Sequence, residues 1–90
     1  MDIGGFEDAL RKDGFTDVET KSLPAGTHND DHDHAFDVRA LVLEGRIALT
    51  VDGATRTYGA GEVFTMAAGC RHVEDVGERG VRYIVGRRRA

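Results

Sequence analysis

Beyond Gly14 the chain is cut into short runs by glycine-bearing turns at nearly regular intervals, and this rhythm leaves few folds open. Ile47, Leu49 and Val51 alternate with Arg46, Ala48 and Thr50, the period of two that marks a half-buried strand. Asp52-Gly53 follows at once, a dipeptide whose residues both tolerate positive φ and so close a tight hairpin, with 55–58 as the return strand. Further strands are expected at 18–23, ended by Pro24-Ala25-Gly26, and at 35–43, nearly continuously apolar as befits a strand packed on both faces and broken by Gly45. Three more are expected at 62–66, 72–76 and 81–85, separated by Ala68-Gly69 and by 77–80. The polar, acidic segment 27–33 reads as a loop running into a strand. Short strands at such spacing specify an all-β sandwich or small barrel.

Ahead of the strands, Ile3, Phe6 and Leu10 lay one apolar stripe along a helix at 3–13, with Asp2 placed to cap its start and Gly14 just past its end. Ninety residues make one domain, 1–90, of which about 17–87 form the barrel. A single cysteine excludes an internal disulfide and fits a reducing compartment, and no apolar run reaches the roughly 20 residues that span a bilayer. We therefore expect a cytoplasmic protein with no membrane partner. A net charge of −4 argues against nucleic acid, whose recognition relies on clustered Lys and Arg. The one basic cluster, Arg87 to Arg89, reads as a solvated tail.

His32 and His34 are one residue apart. Alternate residues of an extended segment project to one side, so both imidazoles can address one point, and His72 can reach it from another strand. Cys70, two residues before His72, makes a thiol ligand conceivable, although the absence of a second cysteine favours a structural role.

These residues resemble the cupin superfamily, small jelly-roll β-barrels with two characteristic motifs. Gly26, five residues, His32-Asp33-His34 and then Val42-Leu43-Glu44-Gly45 follow the first motif; Gly61, Gly69 and His72 fall at the spacings of the second. The resemblance runs from Pro24 to about Val85. It implies an all-β, small jelly-roll barrel with a short N-terminal α-helix, and a His-based site for a divalent transition metal such as Zn, Fe, Ni, Mn or Cu. The chain departs from the pattern at three places. Val38 stands where the family has its glutamate ligand, Ala67 replaces the proline and Val76 the asparagine.

Asp37 is the substitute carboxylate nearest to hand, making the metal set His32, His34, His72 and Asp37. Alternation turns Asp37 outward unless a bulge resets the strand. His28 reads as a surface histidine, and Glu62 and Glu74 as exposed strand residues. The pocket lining is expected to comprise Phe36, Val38, Ala40, Val42, Phe64 and Met66. Lys12 and Arg39 could meet an anion if they point to the mouth.

Imidazole must be neutral to bind metal, and the aspartates around these histidines favour its protonated form, so affinity should fall below about pH 6.5. Three functional readings stay open. The first is a metal-dependent enzyme acting on a small oxygenated metabolite. The second is a non-catalytic small-molecule binding or sensing module, with or without metal. The third is a metal-free barrel that serves association, and a homodimer is expected, with Leu41 and Leu43 supplying an apolar face.

Overall fold

The computed structural model describes residues 1–89; Ala90, the end of the expected domain, lies outside the described residues. Six strands form one antiparallel sheet curled into a small barrel: β1 (Thr16–Leu23), β2 (His28–His32), β3 (Asp37–Val51), β4 (Ala54–Gly59), β5 (Val63–Met66) and β6 (His72–Arg88). The order β1-β6-β3-β4 is supplemented by β2 on β6 and β5 on β3. The hairpin at Asp52-Gly53 is as expected, with φ of 50° and 78° at its two residues.

Two expected breaks are not breaks. Segments 35–43 and 46–51 join as β3, and 72–76 and 81–85 join as β6, because the glycines between them form bulges rather than turns. The β3–β6 register slips between Val42 and Glu44 and again between Gly45 and Ile47. An extra residue in a strand reverses which side chains face inward. Val38, Ala40 and Val42 therefore face the core before the bulge, and Ile47 and Leu49 face it after. In β6 the inward set changes likewise, from His72, Glu74 and Val76 to Val81, Tyr83 and Val85. Both long strands can thus line both halves of one barrel.

Helix α1 (Ile3–Lys12) starts where Asp2 Oδ1 accepts the Gly5 N–H at 2.9 Å. Leu10 and Phe15 press on Gly86 from the outer side of β6, since any Cβ added there would meet both within 3.2 Å. Leu10, Phe15, Leu41 and Ile84 are buried outside the main core and form a second apolar layer. Of the two leucines expected to supply a pairing face, Leu41 is buried in this layer at 5 % exposure and Leu43 is half-buried.

The C-terminal arginines are also no solvated tail. Arg88 binds Asp37 at 2.9 Å and the Asp13 carbonyl at 3.1 Å, Arg89 binds Asp17 at 2.5 Å, and Arg87 donates to the Asp17 carbonyl at 3.1 Å. Arg88 also lies over the Phe15 ring, and Arg87 and Arg89 over Phe36. Among the described residues no helix is long and apolar enough to cross a membrane.

Candidate metal centre

Three imidazoles and a carboxylate meet inside the barrel. His32 closes β2, His34 follows in the extended connection to β3, and His72 and Glu74 project from the start of β6. Each offers one ligand atom, and these atoms all lie within 4.8 Å of one another. Ring centroids are 4.2 Å apart for His32–His72, 5.0 Å for His32–His34 and 5.3 Å for His34–His72. The connection that carries His34 is tied down because its carbonyl accepts the Gly69 N–H at 2.8 Å. The His34 ring stacks on Phe36 at 5.0 Å.

The carboxylate of the set is Glu74, not Asp37. Asp37 begins β3 with its side chain turned outward, accepting the Ala68 N–H at 2.8 Å and the Arg88 guanidinium at 2.9 and 3.0 Å. Those two donors hold it below the usual carboxylate range. Val38 does face inward, onto the cavity wall, so the side chain in the family's glutamate position is apolar. Glu74 reaches the same centre from the opposite strand. Its side chain is 12 % exposed, which corrects the expectation of a solvated strand residue. The sequence does carry a signal for it, because Glu74 is two residues from His72 and shares its side of the strand.

The hydrogen bonds fix how these groups are presented. His72 Nδ1 lies 3.0 Å from the Cys70 carbonyl and His32 Nδ1 lies 2.7 Å from the Asp30 carbonyl. A carbonyl only accepts, so both rings carry their proton on Nδ1 and direct Nε2 inward. There Nε2 of His72 and Nε2 of His32 stand 3.1 and 3.4 Å from Glu74 Oε1, a second acceptor-only partner. Lone pair facing lone pair at such distances calls for a proton or a cation between them, and a single proton, on His72 Nε2 or on the carboxyl, bridges only one of the two contacts. Protons on both Nε2 atoms would place two imidazolium rings 4.2 Å apart, with the His72 side chain wholly buried. One divalent ion in place of the two protons leaves the total charge unchanged and removes that repulsion. The donor set therefore fits a metal ion. Burial, followed by the neighbouring His32 and His72, pushes the His34 pKa down and favours the neutral form a ligand needs. Asn29 Nδ2 donates to Glu74 Oε2 at 3.1 Å and sets the carboxylate's orientation.

A cavity of about 480 Å³ opens beside the cluster. Phe36, Val38, Phe64 and Met66 line it, together with Ile47 and Tyr83. Ala40 and Val42 do not: both are 0 % exposed and pack in the core behind the wall. Cys70 packs against that core, and its part in the centre is the carbonyl that orients His72. Arg39 is drawn away to Asp13 at 2.6 Å and the Phe15 ring, so it serves no anion at the mouth.

His28 stays outside the ligand set, its Nδ1 2.6 Å from Asp75 Oδ1 at the cavity rim. That hydrogen bond, and then the Asp75 charge, raise its pKa above the ordinary 6.5. A raised folded-state pKa contributes stability that is fully present below pH 6.5 and is lost as pH rises through the folded value. His28→Gln is therefore expected to lower the urea midpoint at pH 5.5 and to leave it nearly unchanged at pH 9. Equal losses at both values would rule the ion pair out as the cause.

Comparison with known proteins agrees with this architecture. A family model described as the cupin domain matches residues 20–85. A structurally solved protein of unknown function from Rhizobium leguminosarum bv. viciae is 26 % identical with a TM-score of 0.76, over 81 % of this chain and 69 % of its own. The Schizosaccharomyces pombe Cnp3 cupin domain is 20 % identical with a TM-score of 0.73, over 81 % of this chain and 55 % of its own. Bacillus subtilis oxalate decarboxylase, with its Mn(II) centres, is 19 % identical with a TM-score of 0.71, over 80 % of this chain and 20 % of its own. The last two similarities speak to fold alone. A search of curated proteins finds no match.

Proposed function

This chain belongs to the cupin domain family, and from that premise we propose that it holds a divalent transition-metal ion between His32, His34, His72 and Glu74 and presents it to a small oxygenated ligand in the adjoining cavity. The observation that carries this reading is the pair of Nε2 atoms, that of His72 fully buried, facing one carboxylate oxygen while both Nδ1 protons are committed to backbone carbonyls. Three histidines and one carboxylate suit Zn(II), Fe(II), Ni(II), Mn(II) or Cu(II). A bound ion of this class supplies Lewis acidity toward an oxygen ligand. The chain's own residues do the rest: the Cys70 and Asp30 carbonyls fix the tautomers, Asn29 orients Glu74, and Val38, Ile47, Phe64 and Met66 give the ligand an apolar floor.

A binding or sensing role without turnover is the second reading, and one observation favours it. Tyr83 on the cavity wall is pushed by burial up to about 12 and does not serve as a base near neutrality. Elemental analysis of protein purified without added metal tests the shared premise. Stoichiometric metal in the wild type is expected, with loss in His72→Ala and in His34→Ala, whose ring is only part-buried and whose removal leaves the core intact. Wild-type protein that takes up no metal when dialysed against each of the five ions would exclude the site.

A further inference from the structure

The polar side chains on the cavity wall are almost all engaged. Outside the four-residue cluster, His28 binds Asp75, Asn29 binds Glu74, Asp30 accepts the Asp31 N–H, and Arg87 lies 3.5 Å from Glu19 besides donating to the Asp17 carbonyl. Two donors are left over. The Lys21 ammonium and the Tyr83 hydroxyl line the same cavity and have no hydrogen-bond or ion-pair partner among the described residues. They stand directly opposite each other in the β1–β6 register. Side chains so paired start about 4.5–5.5 Å apart at Cβ, close enough for both tips to meet one ligand group. Tyr83 is 7 % exposed, yet no buried side-chain oxygen or nitrogen among the described residues lacks a partner, so its hydroxyl opens into the cavity.

We propose that Lys21 and Tyr83 form a carboxylate clamp, and that the cavity takes a small organic monocarboxylate whose apolar body rests on Val38, Ile47, Phe64 and Met66. The proposal builds on the preceding reading of the cavity as the ligand site. One ammonium and one hydroxyl match the two oxygens of a carboxylate, whereas a phosphate is better met by guanidinium forks, and Arg87 is already tied down. Burial raises the Tyr83 phenol well above the physiological range, so its hydroxyl stays a donor there. The loaded metal cluster, two positive charges against the one of Glu74, adds attraction for an anion. A volume of about 480 Å³ sits at the low end of ligand cavities and keeps the body of that anion compact.

Butyrate and its uncharged isostere butyramide serve as probes, titrated by NMR into the full chain, both EDTA-treated and Zn(II)-loaded. Butyrate is expected to saturate, with butyramide at least about tenfold weaker, the difference a charge-assisted hydrogen bond makes. Lys21→Met should weaken butyrate at least about tenfold, Tyr83→Phe about threefold, and Lys21→Arg much less than Lys21→Met. Equal affinities for the two probes, no saturation by butyrate in either state, or wild-type affinity in folded Lys21→Met would overturn the clamp. Zinc uptake by the same samples reads the metal separately. Lys21-dependent preference for butyrate in a protein that takes up none of the five ions would sustain the clamp and sink the metal site.

Discussion

Exchanging Glu74 for glutamine is expected to lower the affinity for a divalent ion at least about 100-fold while leaving the metal-free protein as stable as before. The two halves of this expectation have one cause. In the wild type Glu74 Oε1 faces Nε2 of both His72 and His32, and a cation meets all three acceptors at once where a single proton bridges only two of them. A glutamine keeps the shape, can turn its NH₂ toward His72 Nε2, and still accepts from Asn29 through its oxygen. The metal-free variant then satisfies the same atoms without any cation, but it offers no anionic ligand. At an ion concentration near 100 times the wild-type Kd, the metal stabilises the wild type by about 2.7 kcal/mol; a hundredfold weaker variant retains well under 1 kcal/mol of that, by about the same relation. Urea midpoints with and without EDTA, together with competition against a chromophoric chelator, measure both quantities. Unaltered affinity in Glu74→Gln would remove Glu74 from the ligand set.

Glu74 also marks where the sequence is legible and where it is not. Alternation, which brings His32 and His34 together, applies equally to His72 and Glu74, but a lone charge on a strand is usually solvated, and that habit hides Glu74 among the surface carboxylates. The family's spacing points instead to the strand following His34, where only Asp37 is near. Alternation then turns Asp37 outward, and the structure supplies the holders, the Ala68 N–H and Arg88. Lys21 follows the same pattern as Glu74: it projects to the side shared with Leu23, which also lines the cavity. Arg87 to Arg89 resemble a loose end in sequence because every partner they have, from Asp13 to Asp37, lies far back in the chain. Local composition identifies strands, a hairpin and a capped helix, because those are decided by neighbours in sequence. It does not reveal which glycine is a turn and which is a bulge, since that depends on what lies across the sheet.

Gly45 is the sharpest case, and Gly45→Ala is expected to destabilise the protein by at least about 4 kcal/mol, a large share of the 5–15 kcal/mol typical of a domain. Its φ of 76° belongs to the left-handed region, where a Cβ alone costs roughly 1–2 kcal/mol. Lack of space costs more. A Cβ on Gly45 would lie 1.9 Å from the Gly80 carbonyl oxygen and 2.7 Å from its carbon, both backbone atoms of the facing strand that no rotamer change can move. Relief requires β3 and β6 to separate at the point where both exchange their inward-facing sets. Val42 and Ile47 on one strand, and Val76 and Val81 on the other, would lose their shared register with the core. Gly53→Ala supplies the control, since that glycine has a nearly identical φ of 78° but nothing within 4 Å of an added Cβ. It isolates the cost of the backbone conformation, expected near 1 kcal/mol. A Gly45→Ala midpoint in urea as high as that of Gly53→Ala would mean that the corner yields easily, and that the two long strands are not locked by the contact between Gly45 and Gly80.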